Sequence, residues 1–316
     1  MDGHTDGGGD VRKHTLGGVT WVDAQAPGTT VLERLEQEYR LHPVHVGESV
    51  RKVQHNQVER EKHYFFLVMH YPALQPDGKI TVGQLGVFLG KDYVVTVHVK
   101  EAPFIDDFYT HFSRTTDKQE ARSAGYLLFR IIAALLQTME TIAEGIDVEL
   151  DEVEDLVFEN NSSDAERIGR LREKIIRLRR LTGPKRLLLD DLREQIGGFA
   201  GSDLTHYYAY NLKTVNRLWD ELDEARETVE IYKDADFITS TEQTNRILAL
   251  LTLVFTFTIP ATVAAALYGM NVFVPGGLES GSWLFLGKYT TFWLVLALSA
   301  CTALGMYIYF RKRRWF

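Results

Sequence analysis

Residues 247–271 read ILALLTLVFTFTIPATVAAALYGMN. No charged side chain occurs from Ile247 to Leu267, and a second charge-free run extends from Tyr289 to Phe310. At 1.5 Å per residue each run makes a helix about 31–33 Å long, which matches the hydrocarbon core of a bilayer. A buried helix of a soluble protein seldom runs that far without one charge. The pattern therefore predicts two transmembrane helices, 247–267 and 289–310, joined by a loop over 268–288.

The flanks orient this hairpin. Arg311-Lys312-Arg313-Arg314 directly follows the second run, whereas the connecting loop holds only Lys288 and Glu279. The excess of cationic residues on cytoplasmic sides places the C-terminus, 311–316, inside. An even number of spans puts the N-terminal part inside as well, so the expected location is the plasma (inner) membrane, with both termini cytoplasmic. No signal peptide is read in Met1–Asp10, which is rich in Gly, Asp and His. Residues 1–16 are expected to be a disordered tail, in which His4 and His14 are at most adventitious metal ligands. Cys301, the single cysteine, lies inside the second span, so no disulfide framework or thiol metal cluster forms within one chain.

Upstream, residues 17–115 read as a mixed α/β domain. Val19–Val22, His63–His70, Leu85–Leu89 and Tyr93–Val99 have strand character, the last two flanking a turn at Gly90-Lys91-Asp92. Val31–Tyr39 has helical spacing. From Lys118 the period becomes helical, and 116–200 reads as a helical hairpin: Met139, Ile142, Ile146, Leu150, Val153 and Val157 form one series, Ile168, Leu171, Ile175 and Leu178 the other. Ten acidic and no basic residues lie between Glu140 and Asp164, and nine basic ones between Arg167 and Arg186. This segregation predicts an antiparallel pair with complementary faces, or an acidic helix that concentrates cations near a pore mouth. The net charge of −8 and the acidic partner oppose nucleic-acid binding. No nucleophile, base and orienting acid stand at interpretable spacing, so no enzyme and no cofactor is expected.

A stalk helix is expected over 201–246. Neither glycine nor proline occurs from Ser202 to Ile259, and Leu212, Val215, Leu218, Leu222, Ala225, Val229 and Tyr232 form a seam suited to bundling. Nothing breaks the helix before the first span. A rod from Asp203 to Leu267 would be about 98 Å long, which implies a parallel bundle of identical chains.

The first span exits through Tyr268-Gly269-Met270-Asn271. Glycine lets the backbone leave a helix and approach an axis closely. The Asn271 side-chain carbonyl suits magnesium, which sheds water reluctantly and is often held through its hydration shell. With Trp21-Val22-Asp23, Leu41-His42-Pro43, Leu89 to Val95, Tyr126-Leu127-Leu128, Thr244-Asn245, Pro260 and the Trp315-Phe316 end, this exit makes the chain resemble the CorA family of magnesium transporters.

The resemblance implies a homopentameric funnel: an α+β membrane protein with a cytoplasmic α/β domain, helical hairpin and long stalk continuing into a pore-lining span. It implies magnesium as cargo, with cobalt or nickel as further ions. Tyr268, Gly269, Met270 and Asn271 then form the outer hydrated-ion site. Counting back from Asn271, the pore-facing positions fall on Ala266, Thr262, Ile259, Phe255, Leu251, Leu248 and Asn245. Leu248, Leu251, Phe255 and Ile259 would make an apolar constriction that gates by dewetting. The family's regulatory magnesium is held by carboxylates between a stalk and a neighbouring α/β domain. Here the stalk position falls on Tyr210, with Asp203 or Asp220 as substitutes after a shift and Asp77 as the candidate on the facing domain, and the site is left unassigned. The outer loop, with Glu279 its sole acid, departs from the often acidic family loop and leaves ion preference open. Two alternatives stand: a zinc transporter of the superfamily, whose pattern favours isoleucine where Met270 stands, and a membrane-anchored sensor or scaffold without transport.

Overall fold

The computed structural model describes residues 10–53, 56–76, 78–117, 119, 122–159, 164–196, 204–269 and 290–312. It divides into two compact units, Met1–Asp236 and Phe237–Phe316.

The first unit is built on a six-stranded sheet: β1 (Asp10–Leu16), β2 (Val19–Gln25), β3 (Gln57–Arg60), β4 (Phe65–Leu74), β5 (Ile80–Leu89) and β6 (Tyr93–His98), in the order β1-β2-β6-β5-β4-β3. Only the β2–β6 pair is parallel. Apolar side chains on both faces of the central strands explain why both faces are covered. Val22, Phe66, Val68, Phe88 and Val95 form one core with Val31 and Leu35 of α1 (Thr29–Tyr39) and Val46 of α2 (Pro43–Val50). Trp21, Phe65, Leu67, Leu85 and Val87 point to the other side. There they pack with α3 (Pro103–Arg114) and α4 (Ala124–Glu154) in a larger core that extends through α5 (Ala165–Ile196) and α6 (Thr205–Gly269). Pro72 is tolerated in β4 because β3 pairs only with Phe65–Val68, leaving the rest of that edge without a ladder partner.

The sheet reaches further toward the N-terminus than expected. Asp10–Leu16, assigned above to a disordered tail, is strand β1, paired along its length with β2. Gly17 and Gly18 close the hairpin at φ 60° and 89°, a left-handed pair that glycine adopts without strain. The strand itself is polar because it is an edge. His14 packs its ring on Phe112 at 5.7 Å, and His4 lies outside the described residues.

What fixes β1 is a buried ionic network. Arg12 donates to Asp23 Oδ2 (2.6 Å) and to Asp106 Oδ1 (2.7 Å). Thr96 Oγ1 donates to Asp23 Oδ1 at 2.5 Å, and Trp21 Nε1 donates to Thr96 Oγ1 at 3.0 Å. His98 Nε2 lies 3.5 Å from Asp23 Oδ1, and both side chains are fully buried. Burial pushes the Asp23 carboxyl up, but His98, Arg12 and Thr96 outweigh it and hold it below the usual range. Burial pushes His98 down, but Asp23 outweighs that and holds it above its ordinary value.

The helical layer pairs as the charge pattern predicts, with complementary faces. α5 reaches α4 through Arg167–Glu152 and Lys174–Glu149, and reaches α6 through Arg172–Glu230 and Arg179–Asp223. α4 ends in a single π turn, Asp155–Glu159. The α6 seam bundles with other helices, and those helices belong to its own chain. Val215, Leu218, Leu222, Ala225, Val229 and Tyr232 are buried in the core of their own chain, with α4 and α5, not between identical chains. Periodicity marks a covered face and leaves its cover unnamed.

Because Asp23 is wholly buried, Arg12→Met should lower stability by about 3 kcal/mol by leaving that carboxylate short of counter-charge. The raised His98 contributes stability that is complete below its ordinary value of 6.5 and is lost as pH rises through the folded value. The lowered Asp23 contributes stability that is lost only as pH falls below 3.8. Urea midpoints of the detergent-solubilised chain should therefore fall above pH ~6.5, and Asp23→Asn should flatten that fall.

Candidate ion-conducting site

Among the described residues, three helices are long and apolar enough to cross a membrane: Ala124–Phe158, Thr205–Leu267 and Trp293–Lys312. Half of the most apolar stretch of Ala124–Phe158 is buried inside the protein, which makes it a core helix. None of the corresponding stretch of the other two is buried. Those two are the end of α6 and α7 (Thr290–Lys312), and they make up the described helices of the second unit. α6 stays helical through Pro260. Proline has no N–H to give the Thr256 carbonyl, a loss that neighbouring groups in a membrane helix absorb.

In α6 one stripe is half-covered: Ala249, Leu253, Thr256, Phe257, Pro260 and Ala264. α7 has a stripe of its own at the same spacing, Val295, Ser299, Thr302, Ala303, Met306 and Phe310. The sequence-derived positions Asn245, Leu248, Leu251, Phe255, Ile259, Thr262 and Ala266 are all exposed. They cluster on one side of α6, roughly 150° around the helix from the half-covered stripe at 3.6 residues per turn. Leu248, Phe255 and Ile259 each leave more than half of their surface open within one chain. Apolar surface on that scale is unfavourable in water and neutral in lipid, so a membrane or other copies of the chain must cover it.

Polar groups on this face are arranged to accept hydrogen bonds. The Thr262 hydroxyl donates to the Thr258 carbonyl at 2.9 Å. Its proton is thereby engaged in the helix, and its remaining lone pairs point outward as acceptors. The water shell of a divalent cation donates hydrogen bonds, and an acceptor hydroxyl is a group able to receive one without stripping the shell. Gly269 is the last residue of α6 and remains helical; a Cβ there would meet nothing within 4 Å. Among the described residues, no contact demands glycine at this position. Tyr268 is helical too, while Met270, Asn271 and the loop to 289 lie outside the described residues.

The acidic helices are only partly neutralised. Arg217 of α6 pairs with Glu140 of α4, yet Asp147 remains among like charges. Burial first, then Asp151, Glu224 and Glu144, push its carboxyl above the usual value. Glu221 is raised as well, by burial and by Asp147, Glu140 and Glu144, against the lowering effect of Arg217. At the regulatory-metal position that the resemblance implies, the described residues do not supply the carboxylates needed. Tyr210 is 64% exposed and offers a phenol where a carboxylate is needed; Asp220 is exposed on α6, and Asp203 and Asp77 lie outside the described residues. No group of three or more His, Cys, Asp or Glu that would hold a metal occurs among the described residues.

Two features escaped the sequence reading: the buried Asp23–His98 network and the in-chain burial of the α6 seam. The Gly17-Gly18 pair was the available signal for the first, since it marks the hairpin that carries Arg12 to Asp23.

Comparison with known proteins agrees with this geometry. The model of a family described as CorA-like Mg2+ transporter protein matches residues 17–312. A cobalt/magnesium transport protein CorA of Thermotoga maritima is 23% identical over 302 residues, covering 94% of this chain and 83% of that protein. A putative metal ion transporter of Bacillus subtilis, YfjQ, is 26% identical over 304 residues, covering 94% and 89%. The solved structure of the CorA magnesium transporter from Methanocaldococcus jannaschii superposes with a TM-score of 0.77 at 20% identity, covering 94% of this chain and 92% of that one.

The opposed stripes of α6 yield a direct check. In a Cys301→Ala background, Leu251→Cys should form interchain disulfides on oxidation in membranes. Leu253→Cys, on the half-covered stripe, should form few or none, as read on non-reducing gels.

Proposed function

Because this chain belongs to the CorA-like Mg2+ transporter family and is thus a divalent-cation transporter of the membrane and not an enzyme, we propose that it is a homopentameric channel for passive magnesium uptake. The observation that supports this most strongly is the α6 face from Asn245 to Ala266, which is exposed along its whole length within one chain. Copies of α6 around an axis would turn that face into the wall of a pore. Cobalt and nickel, hydrated ions of the same charge, are further cargo.

On this reading each part of the face has a task. Asn271 and Gly269 hold the hydrated ion at the outer end, through its water and not by direct ligation. Thr262 and Ala266 form a small, mildly polar passage. Leu248, Leu251, Phe255 and Ile259 form rings that exclude water when they close. Asn245 places an amide ring at the inner mouth. The basic residues Arg311 and Lys312 at the end of α7 keep both termini on the cytoplasmic side.

The driving force is electrical. A divalent ion moving inward gains about 4.6 kcal/mol per 100 mV, twice the value for one elementary charge. No nucleotide hydrolysis is needed. The glycine at 269 has its use here: with no described residue within 4 Å of a Cβ built on it, it leaves room for other copies to approach.

Asn271→Ala should reduce magnesium flux into proteoliposomes at least tenfold while the oligomer still assembles. Undiminished flux through the variant would mean that the outer amide does not handle the ion.

A further inference from the structure

Helix α5 carries a lysine where its neighbours on the same face are apolar. Lys185 is 2% exposed, and Leu181, Thr182, Leu188 and Leu189 around it are buried. Its Nζ donates to the Leu181 carbonyl, one turn back in the same helix, at 2.8 Å. Several charged groups of the surrounding elements are engaged elsewhere. On α5, Arg179 pairs with Asp223, Arg186 donates to Asn216, and Asp190 pairs with Arg193. Glu140 of α4 pairs with Arg217 of α6. On the strands that α5 packs against, Glu59 pairs with His45, Arg60 lies over the Phe65 ring, and His70 bonds Asn56 and Val53. An ammonium group in this position has lost its water and gained one carbonyl, an arrangement that favours the neutral amine. Burial lowers its pKa to about 7.

The helix is weak at this turn. Pro184, immediately before the lysine, has no N–H, so the Arg180 carbonyl lacks its helical partner. Gly183 has no side chain to pack: a Cβ there would lie 2.8 Å from the Trp219 ring. Trp219 is held in place by Arg179 and Arg186, whose guanidinium carbons sit 4.2 and 5.3 Å from its ring centre. On the side of the helix away from Lys185 there is space. A cavity of about 970 Å³ is lined by Gly183, Pro184, Leu187, Asn216 and Trp219, among others. Leu187, two positions along and therefore on the opposite side from Lys185, is 73% exposed.

We propose that the Gly183–Lys185 turn of α5 is a pH-sensitive hinge, closed over an uncharged Lys185 and opening toward the cavity when that amine takes up a proton. The sign follows from linkage. The open turn exposes the amine, which then titrates near its ordinary 10.5, whereas the closed turn holds it at about 7. Between these values the open form carries the extra proton, so opening becomes about tenfold more favourable for each pH unit of acidification. Below about 7 both forms are protonated and the opening constant is level.

Hydrogen exchange of the full chain in lipid nanodiscs, corrected for intrinsic rates and followed from pH 6 to 9, tests this. Amides of residues 181–189 should show an opening constant that is level from pH 6 to 7 and then falls about tenfold per unit. In Lys185→Met the same amides should open less at pH 7 and show no slope. A flat wild-type profile between pH 7 and 9 overturns the hinge, as does a Lys185→Met profile with the wild-type slope.

Discussion

The structure depends on one uninterrupted backbone. In a bilayer peptide groups must find their hydrogen bonds within the segment, and α6 stays helical from Thr205 to Gly269, with the Thr256 carbonyl opposite Pro260 as its one interior exception. The same helix carries two different surfaces. Through Tyr232 its apolar seam is buried in the chain's own core. Beyond Asp236, where the second unit begins, its apolar surface is left to an environment outside the chain. A glycine or a second proline in the middle would uncouple these two roles, and residues 202–259 contain neither.

Charge organises the layer that supports α6. The basic α5 lies between acidic α4 and α6 and pairs with both, through Lys174–Glu149 and Arg172–Glu230 among others. Such exposed pairs each contribute little to stability, typically under about 1 kcal/mol. Their value is in register: helices with matched faces have one alignment that pairs and many that repel. Acids left without a basic partner, Asp147 with Asp151 and Glu224, remain as a negative field on the same layer. That field attracts cations of any kind, and in the proposed channel selectivity would rest with the neutral amide and hydroxyl groups of the α6 face.

Much of this was legible from residues alone, for identifiable reasons. Two charge-free runs of bilayer length have few alternative explanations, and the two apolar helices of the second unit follow them. The Tyr268-Gly269-Met270-Asn271 exit is specific because of where it stands. The α/β unit was legible through the apolar strands β4, β5 and β6 and less so at its edges. β1 is polar, since an edge strand has little to bury, and only Gly17-Gly18 marks its hairpin. The 212–232 seam was visible as a seam, but a repeat of three and four residues is the same whether the cover is a sister chain or α4 and α5. Polar residues in the core, Asp23, His98 and Lys185, cannot be told from surface residues until the chain is folded.

In the proposed channel the exposed face of α6 becomes the wall of a pore through which magnesium moves down its electrical gradient. Magnesium uptake into proteoliposomes at imposed potassium diffusion potentials, with a magnesium-sensitive dye inside, measures this most directly. Inward flux should rise with each increment of inside-negative potential, without nucleotide and without a pH gradient. Absence of flux, or flux that follows a proton gradient and ignores the potential, would contradict the account.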